Sequence, residues 1–232
     1  LVAVAVPGLP LVVDAMASVS IGSGASFGGQ RFAGTLLSSV LVAFFTAVFS
    51  FAIGLPAGVI AALREPPGGR FLLYLAALPL LEPSLLLAIG YSQLAAPLGP
   101  EAARALSGVA GSVLVFTAGS TPLCLFTAYA AASSLGGSEL DAARLSGGMG
   151  AVVVHATRHA APPALLAAAL AGVLTLSDPG PGQILGLRGA ASEILTSFSA
   201  LNDYALAGRQ CILLGGVALL AALPLAAFGA PR

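Results

Sequence analysis

Charge is what this sequence has least of. Acidic and basic residues make up 8% of its 232 positions, nine of each sign, and the formal net charge is zero. The nine bases are all arginine and are scattered; lysine is absent. Without a basic stripe the chain cannot neutralise a run of phosphates, which argues against nucleic-acid binding. The absence of lysine rules out a nucleotide-binding loop of the Gly-x4-Gly-Lys-Ser/Thr type, so any ATP chemistry belongs to a separate subunit and no cofactor is expected here. Cysteine is nearly missing too. Cys124 and Cys211 lie inside apolar stretches without metal-like spacing, and both read as small buried hydrophobes with no disulfide between them.

Apolar residues take the place of charge: 58% of the chain, with a mean hydropathy of +1.00. A soluble domain of this length would be left with too little polar surface, so the expected partner of most of the chain is the lipid bilayer. The opening Leu1-Val-Ala-Val-Ala-Val-Pro7 has neither an initiator Met nor a basic flank. It reads as a cut from a longer protein, with residues 1–13 the tail of an incomplete span.

The expected fold is all-α, a polytopic membrane bundle of about five to six spans. Residues 1–34 form an N-terminal stub and outer loop; 35–232 form the transmembrane domain. Thr35 to Leu63 is the first full span, ending at the turn Arg64-Glu65-Pro66-Pro67-Gly68-Gly69-Arg70. Phe71 to Leu94 is the second, interrupted by Pro79 and Pro83, and Gly108 to Ser133 is the third. A polar island at 134–161 follows, then a shorter span from Pro162 to Ser177 and a last one from Ala207 to Phe228. Between these two, Asp178-Pro-Gly-Pro-Gly182 and the polar stretch 190–206 read as a turn plus a short helix at the outer face or dipping back into the bundle. Placing 64–70 and 134–161 on one side collects Arg64, Arg70, Arg144, Arg158 and Arg232 there, against Arg31, Arg104, Arg188 and Arg209 on the other; five against four favours a cytoplasmic island.

The island carries the most information. In Glu139-Leu-Asp-Ala-Ala-Arg-Leu-Ser-Gly147, Ser138 can cap a helix whose first turn holds Glu139 and Asp141, where negative charge meets the unsatisfied amide dipoles. Ala142 and Ala143 are compact helix formers, and Gly147-Gly148 lets the backbone reverse. This is a short helix held outside the bilayer, suited to close approach by a partner; in an alanine-rich chain the same pattern also arises as an ordinary loop helix.

Asp141-Ala142-Ala143, three residues, then Gly147 resembles the EAA loop of the inner-membrane permease subunits of binding-protein-dependent ABC importers. Pro162-Pro163-Ala-Leu-Leu resembles that family's proline-initiated next span, Thr35-Leu-Leu through Gly54-Leu-Pro56-Ala-Gly its first core helix, and Leu78-Pro79-Leu-Leu-Glu-Pro83 its second. Leu176-Ser-Asp178-Pro-Gly and Ala191-Ser-Glu193-Ile194 are similar to the outer segment of the ferric-iron type group. Two positions depart from the family: Asp replaces Glu at 141, and the distal Leu-Pro falls on His159-Ala160. The resemblance implies a multi-pass protein of the plasma (inner) membrane of a bacterium or archaeon that is not an enzyme. Glu139, Asp141, Ala142, Ala143, Arg144 and Gly147 would couple it to cytoplasmic ABC ATPase subunits. A second permease half or identical subunit and an extracytoplasmic solute-binding protein would be its other partners, and ferric iron or a related ion or chelate its cargo.

Glu82, Asp178 and Glu193 are the candidate pathway or gate residues. Glu82 sits within a span, where a carboxylate is expensive unless it faces water or a partner. It either lines a pathway or satisfies backbone donors freed by the neighbouring prolines. Asp178 and Glu193, with Asn202 and Asp203, would form a polar outer mouth. His155 and His159 share a helical face four residues apart, but no Cys or carboxylate nearby completes a metal set. The rival readings are a secondary transporter using Glu82 as a relay and an intramembrane enzyme using Glu82, Asp178 and His155, for which no Ser-His or paired-Asp arrangement exists.

Overall fold

A computed structural model of the chain describes residues 26–64 and 69–229, with side chains from 31 to 64 and from 71 to 221. The N-terminal stub up to residue 25, including the expected partial span at 1–13, lies outside the described residues, as do 65–68 of the polar turn and 230–232. The described residues contain helices and no strand: α1 (Ser26–Arg64), α2 (Gly69–Leu81), α3 (Ser84–Ala95), a single 3-10 turn (Ala96–Leu98), α4 (Pro100–Ala105), α5 (Gly108–Ser133), α6 (Gly137–Ser177), α7 (Gly180–Leu185), α8 (Ala190–Ser199) and α9 (Tyr204–Gly229). Among them, four helices are long and apolar enough to cross a membrane, or five if the bent pair α2–α3 counts as one span. The described residues thus form the all-helical bundle expected from composition, with four to five candidate spans against the five to six expected of the whole chain.

The core is a three-helix unit of α1, α5 and α6. Val42 meets Val113 and Phe116, while Leu55 and Val59 meet Ala128 and Ala132, so α1 and α5 run in the same direction. The alanine row Ala156, Ala160 and Ala164 on α6 packs against the latter group, and Ala167 and Ala168 pack against Cys124 farther along, so α6 runs opposite to both. Rows of small side chains suit a bilayer, where helices associate through close van der Waals packing and not through exclusion of water. Gly54 and Gly58 mark the tightest approach. A Cβ at Gly54 would lie 2.6 Å from the Cys124 Cβ and 2.9 Å from the Leu125 nitrogen; one at Gly58 would lie 2.8 Å from both the Ala128 Cβ and the Tyr129 nitrogen.

The outward faces are apolar and bare. Phe44, Phe45, Val48, Phe49 and Ile53 on α1, and Leu219 and Leu220 on α9, are exposed, a pattern that fits lipid contact and not water. Cys124 is buried as expected, but Cys211 is exposed, because α9 packs on the bundle through one narrow face and turns the rest outward.

Packing also fixes which loops share an end of the bundle. Leu63 and Leu135 join the same cluster, bringing the C-terminus of α1 and the start of the island together. At the other end the Ala190 N–H donates to Ser39 Oγ at 2.8 Å, and Leu187 packs on Val42 and Val113. The grouping of polar loops read from the sequence therefore holds geometrically, with Arg64, Arg144 and Arg158 nearer one end and Arg31, Arg104 and Arg188 nearer the other.

Several boundaries differ from expectation. α1 starts at Ser26 and not Thr35, so the Gly-rich 26–29 segment is helical. The span expected to begin at Pro162 begins at the Gly147–Gly148 break, with Val152, Ala156 and Ala160 already buried against the core. The 29 residues from 149 to 177 make a helix of about 43 Å, against about 30 Å of hydrocarbon, so its first turns extend beyond the apolar layer. Pro162 and Pro163 lie inside this helix and do not start it. α9 starts at Tyr204, where the Asp203 carboxylate accepts the Leu206 N–H at 2.9 Å as a cap.

Candidate functional site

Two polar regions lie at opposite ends of the bundle. At the island end, residues 137–146 form a short helix that leaves the α6 axis at Gly147–Gly148. Its cap is Gly136 and not Ser138, and no side chain caps it; the Gly136 carbonyl accepts the Glu139 and Leu140 N–H groups at 3.1 and 3.2 Å. Glu139 lies in the first turn, as expected, but Asp141 falls beyond it, because the helix begins at Gly137 and not after Ser138. The break resides mainly in Gly148, whose φ is +67°, a region that side-chain-bearing residues avoid; Gly147, at φ −169°, is extended. Gly148 is thus the conformationally demanding glycine, although Gly147 is the one the sequence resemblance singles out.

Leu140 and Ala143 turn partly inward, while Glu139, Asp141, Ala142, Arg144, Leu145 and Ser146 are exposed. Arg144 pairs with Asp141 at 3.4 Å across one turn. Leu145 is 91% exposed, with exposed Met149 beyond the break, so this polar helix carries an uncovered apolar tip. A groove of about 580 Å³ separates the helix from the rest of α6, with Glu139, Ala142 and Ala143 on one wall and His155 and Arg158 on the other. His159 points elsewhere, its Nε2 3.4 Å from Ser134 Oγ, so the two histidines share no site. Among the described residues no group of three His, Cys, Asp or Glu side chains gathers as a metal set.

At the opposite end, a cleft of about 160 Å³ lies between the α2–α3 bend, α5 and the end of α6. The two helices meet at 101°. Pro83 lacks an N–H and forces Glu82 out of helical conformation, which breaks the expected second span. The Pro83 carbonyl accepts the Leu86 and Leu87 N–H groups at 2.9 and 3.2 Å, and no side chain caps α3. Glu82 is therefore not spent on the freed donors; it is exposed and lines the cleft together with Asp178, Ser84, Ser120 and Thr175.

Asp178 is held from two sides: Ser84 Oγ donates to Oδ2, and the Gly180 N–H donates to Oδ1 at 2.8 Å. The fold thus brings Glu82 and Asp178, distant in sequence, into one cavity. Glu193 lies on α8, half-buried, and does not line it. Ser84 and Thr175 were not singled out from the sequence. The available signal for Ser84 was its place directly after Pro83, where a bend would aim its hydroxyl inward.

Compared with protein-family models and with curated proteins, the chain matches none.

Proposed function

We propose that the chain is the membrane-embedded permease component of an ATP-driven ABC importer, moving a small solute delivered by an extracytoplasmic binding protein. The observation that supports this best is the exposed helix at 137–146. It carries Asp141-Ala142-Ala143, ends before Gly147, is hinged at Gly148 to a long span, and stands at the same end of the bundle as the α1 terminus. In this reading its apolar tip at Leu145 and the compact Ala142 face enter a cytoplasmic ABC ATPase, and that end is the cytoplasmic side of the inner membrane. ATP is bound and hydrolysed by that partner; a second permease half completes the channel.

The cleft with Glu82 and Asp178 is the pathway in the same reading. Its two carboxylates suit a cationic or cation-chelate cargo, and the similarity of residues 176–180 and 191–194 to ferric-type permeases makes ferric iron the first solute to assay. The α2–α3 break, lying beside the close-packed three-helix core, would supply the movable wall.

A cysteine at Leu145, in a chain lacking Cys124 and Cys211, tests the docking. It should cross-link to the ATPase encoded beside the permease and be labelled by impermeant reagents only from the cytoplasmic side. Labelling from outside, or no cross-link while the ATPase and permease co-purify, would discard this placement of the helix. The second reading, a secondary transporter with Glu82 as relay, draws on the same exposed carboxylate. Uptake driven by a proton gradient without any ATPase would favour it.

A further inference from the structure

We infer that α8 (Ala190–Ser199) is an interfacial helix, lying in the headgroup layer of the bilayer beside the start of α9 and fixing the outer segment 178–203 to the membrane surface. The inference rests on the span character of α9 and not on the transport reading. Three arcs divide the surface of α8. Ala190 and Ser197 are buried against the bundle, where the Ala190 N–H bond to Ser39 ties the helix to α1. Ser192, Thr196 and Ser199 form a polar arc. Between the buried and polar arcs, Leu195 and Phe198 form an exposed apolar flank.

A helix exposed on both an apolar and a polar flank fits the boundary between hydrocarbon and water, since either solvent alone leaves one flank unfavourably placed. The apolar flank does not end with the helix. Phe198 stacks edge-to-face on Tyr204 with ring centres 5.2 Å apart, and exposed Leu201 and Tyr204 lead directly into the lipid-facing surface of the Tyr204–Ala221 span. That continuity selects lipid as the occupant, and an exposed aromatic pair at the mouth of a span is the composition of an interfacial belt. The only ionic groups from Arg188 to Ser199 are Arg188 and Glu193, of opposite sign, so the contact requires no anionic lipid.

The full chain contains no tryptophan, so a single introduced indole reports without background. Leu195→Trp, Phe198→Trp and Thr196→Trp variants would each be reconstituted in phosphatidylcholine vesicles, with or without bromine near the carbonyl end of the acyl chains. The first two should be quenched about twofold more by brominated lipid than is the third, which should instead respond to aqueous iodide, as expected for burial of one face in the headgroup–acyl boundary. Replacing part of the lipid with phosphatidylglycerol should leave the pattern unchanged. Iodide quenching of all three would put α8 in water and overturn the inference. Protection of the first two from both quenchers would also overturn it, assigning the flank to a second copy or a docking protein. None of these outcomes depends on ATPase recovery, so failure here and failure of the permease reading are separable.

Discussion

Gly54 and Gly58 on α1 face the backbone of α5 so closely that an added Cβ would overlap Cys124, Ala128 and neighbouring main-chain atoms, whereas Gly148 in α6 has nothing within 4 Å of the same imagined atom. The first pair is required for space. Gly148 is required for its φ of +67°. The contrast separates a core that tolerates no added volume from a joint whose geometry is set by the backbone and whose surroundings are open. It teaches that the three-helix unit packs as one body, and that the helix at 137–146 joins the long part of α6 through a single demanding residue. In the proposed importer, that is how a partner's movement would reach the bundle.

Breaking the core should have the largest effect. Gly58→Leu places a branched side chain against the Leu125 carbonyl, the Ala128 Cβ and the Tyr129 nitrogen; the overpacking costs roughly 1–3 kcal/mol, and more if the helices must part. The expected outcome is little folded protein in detergent extracts, and Gly54→Leu should behave alike. If size-exclusion profiles and thermal midpoints of both variants match the parent, the close approach of α1 and α5 is wrong.

Gly148→Val should spare folding and insertion but strain the joint by about 1–3 kcal/mol, because a β-branched residue fits positive φ poorly. ATPase association and uptake are expected to fall sharply at unchanged expression. Gly147→Val should do less, since extended φ suits any residue and the new Cβ would meet only the Ala151 Cβ at 3.1 Å. Equal losses in the two variants would show that crowding, and not backbone conformation, governs the joint.

How much of this was legible in the sequence depended on whether a feature was local. Apolar runs identified the spans, and of the two prolines expected to interrupt the second, Pro83 breaks it while Pro79 stays inside α2; both signals act through neighbouring residues. The start of the span within α6 was misplaced for the same reason: Arg158, His155 and His159 gave 149–161 a polar look, while the inward alanines at 156 and 160 register as a face only once α1 and α5 stand beside them. Glu82 could be marked as costly within a span and Asp178 as part of a polar outer mouth. Their meeting in one cleft is tertiary, and no spacing encodes it. Among the glycines the motif pointed to Gly147, while the unusual backbone fell on Gly148, a choice that local sequence leaves degenerate in a Gly-Gly pair.

Below the joint in severity lies the cleft. Glu82→Gln keeps shape and hydrogen-bonding capacity in an exposed, hydrated position and should retain much of the uptake; Glu82→Leu should lose several-fold more by drying the cavity. Equal abolition by both, with folded protein, would make charge itself the requirement and favour the relay reading.

The smallest effect is expected at the surface of the 137–146 helix, where Arg144 and Asp141 form an exposed pair. An ion pair open to water contributes about 0–1 kcal/mol and is screened by salt, so Arg144→Ala should leave the thermal midpoint nearly unmoved. Asp141→Lys differs in kind. It removes the carboxylate partner of Arg144 and sets a like charge one turn away on the exposed face of the helix. Because the helix carries little of the bundle's packing, the expected readout is partner recovery and not stability. Arg144→Ala should keep most of the ATPase association, while Asp141→Lys should weaken it, most strongly at low salt. Full recovery and full uptake in Asp141→Lys at low ionic strength would remove this helix from the coupling mechanism and leave Gly148 a feature of folding alone.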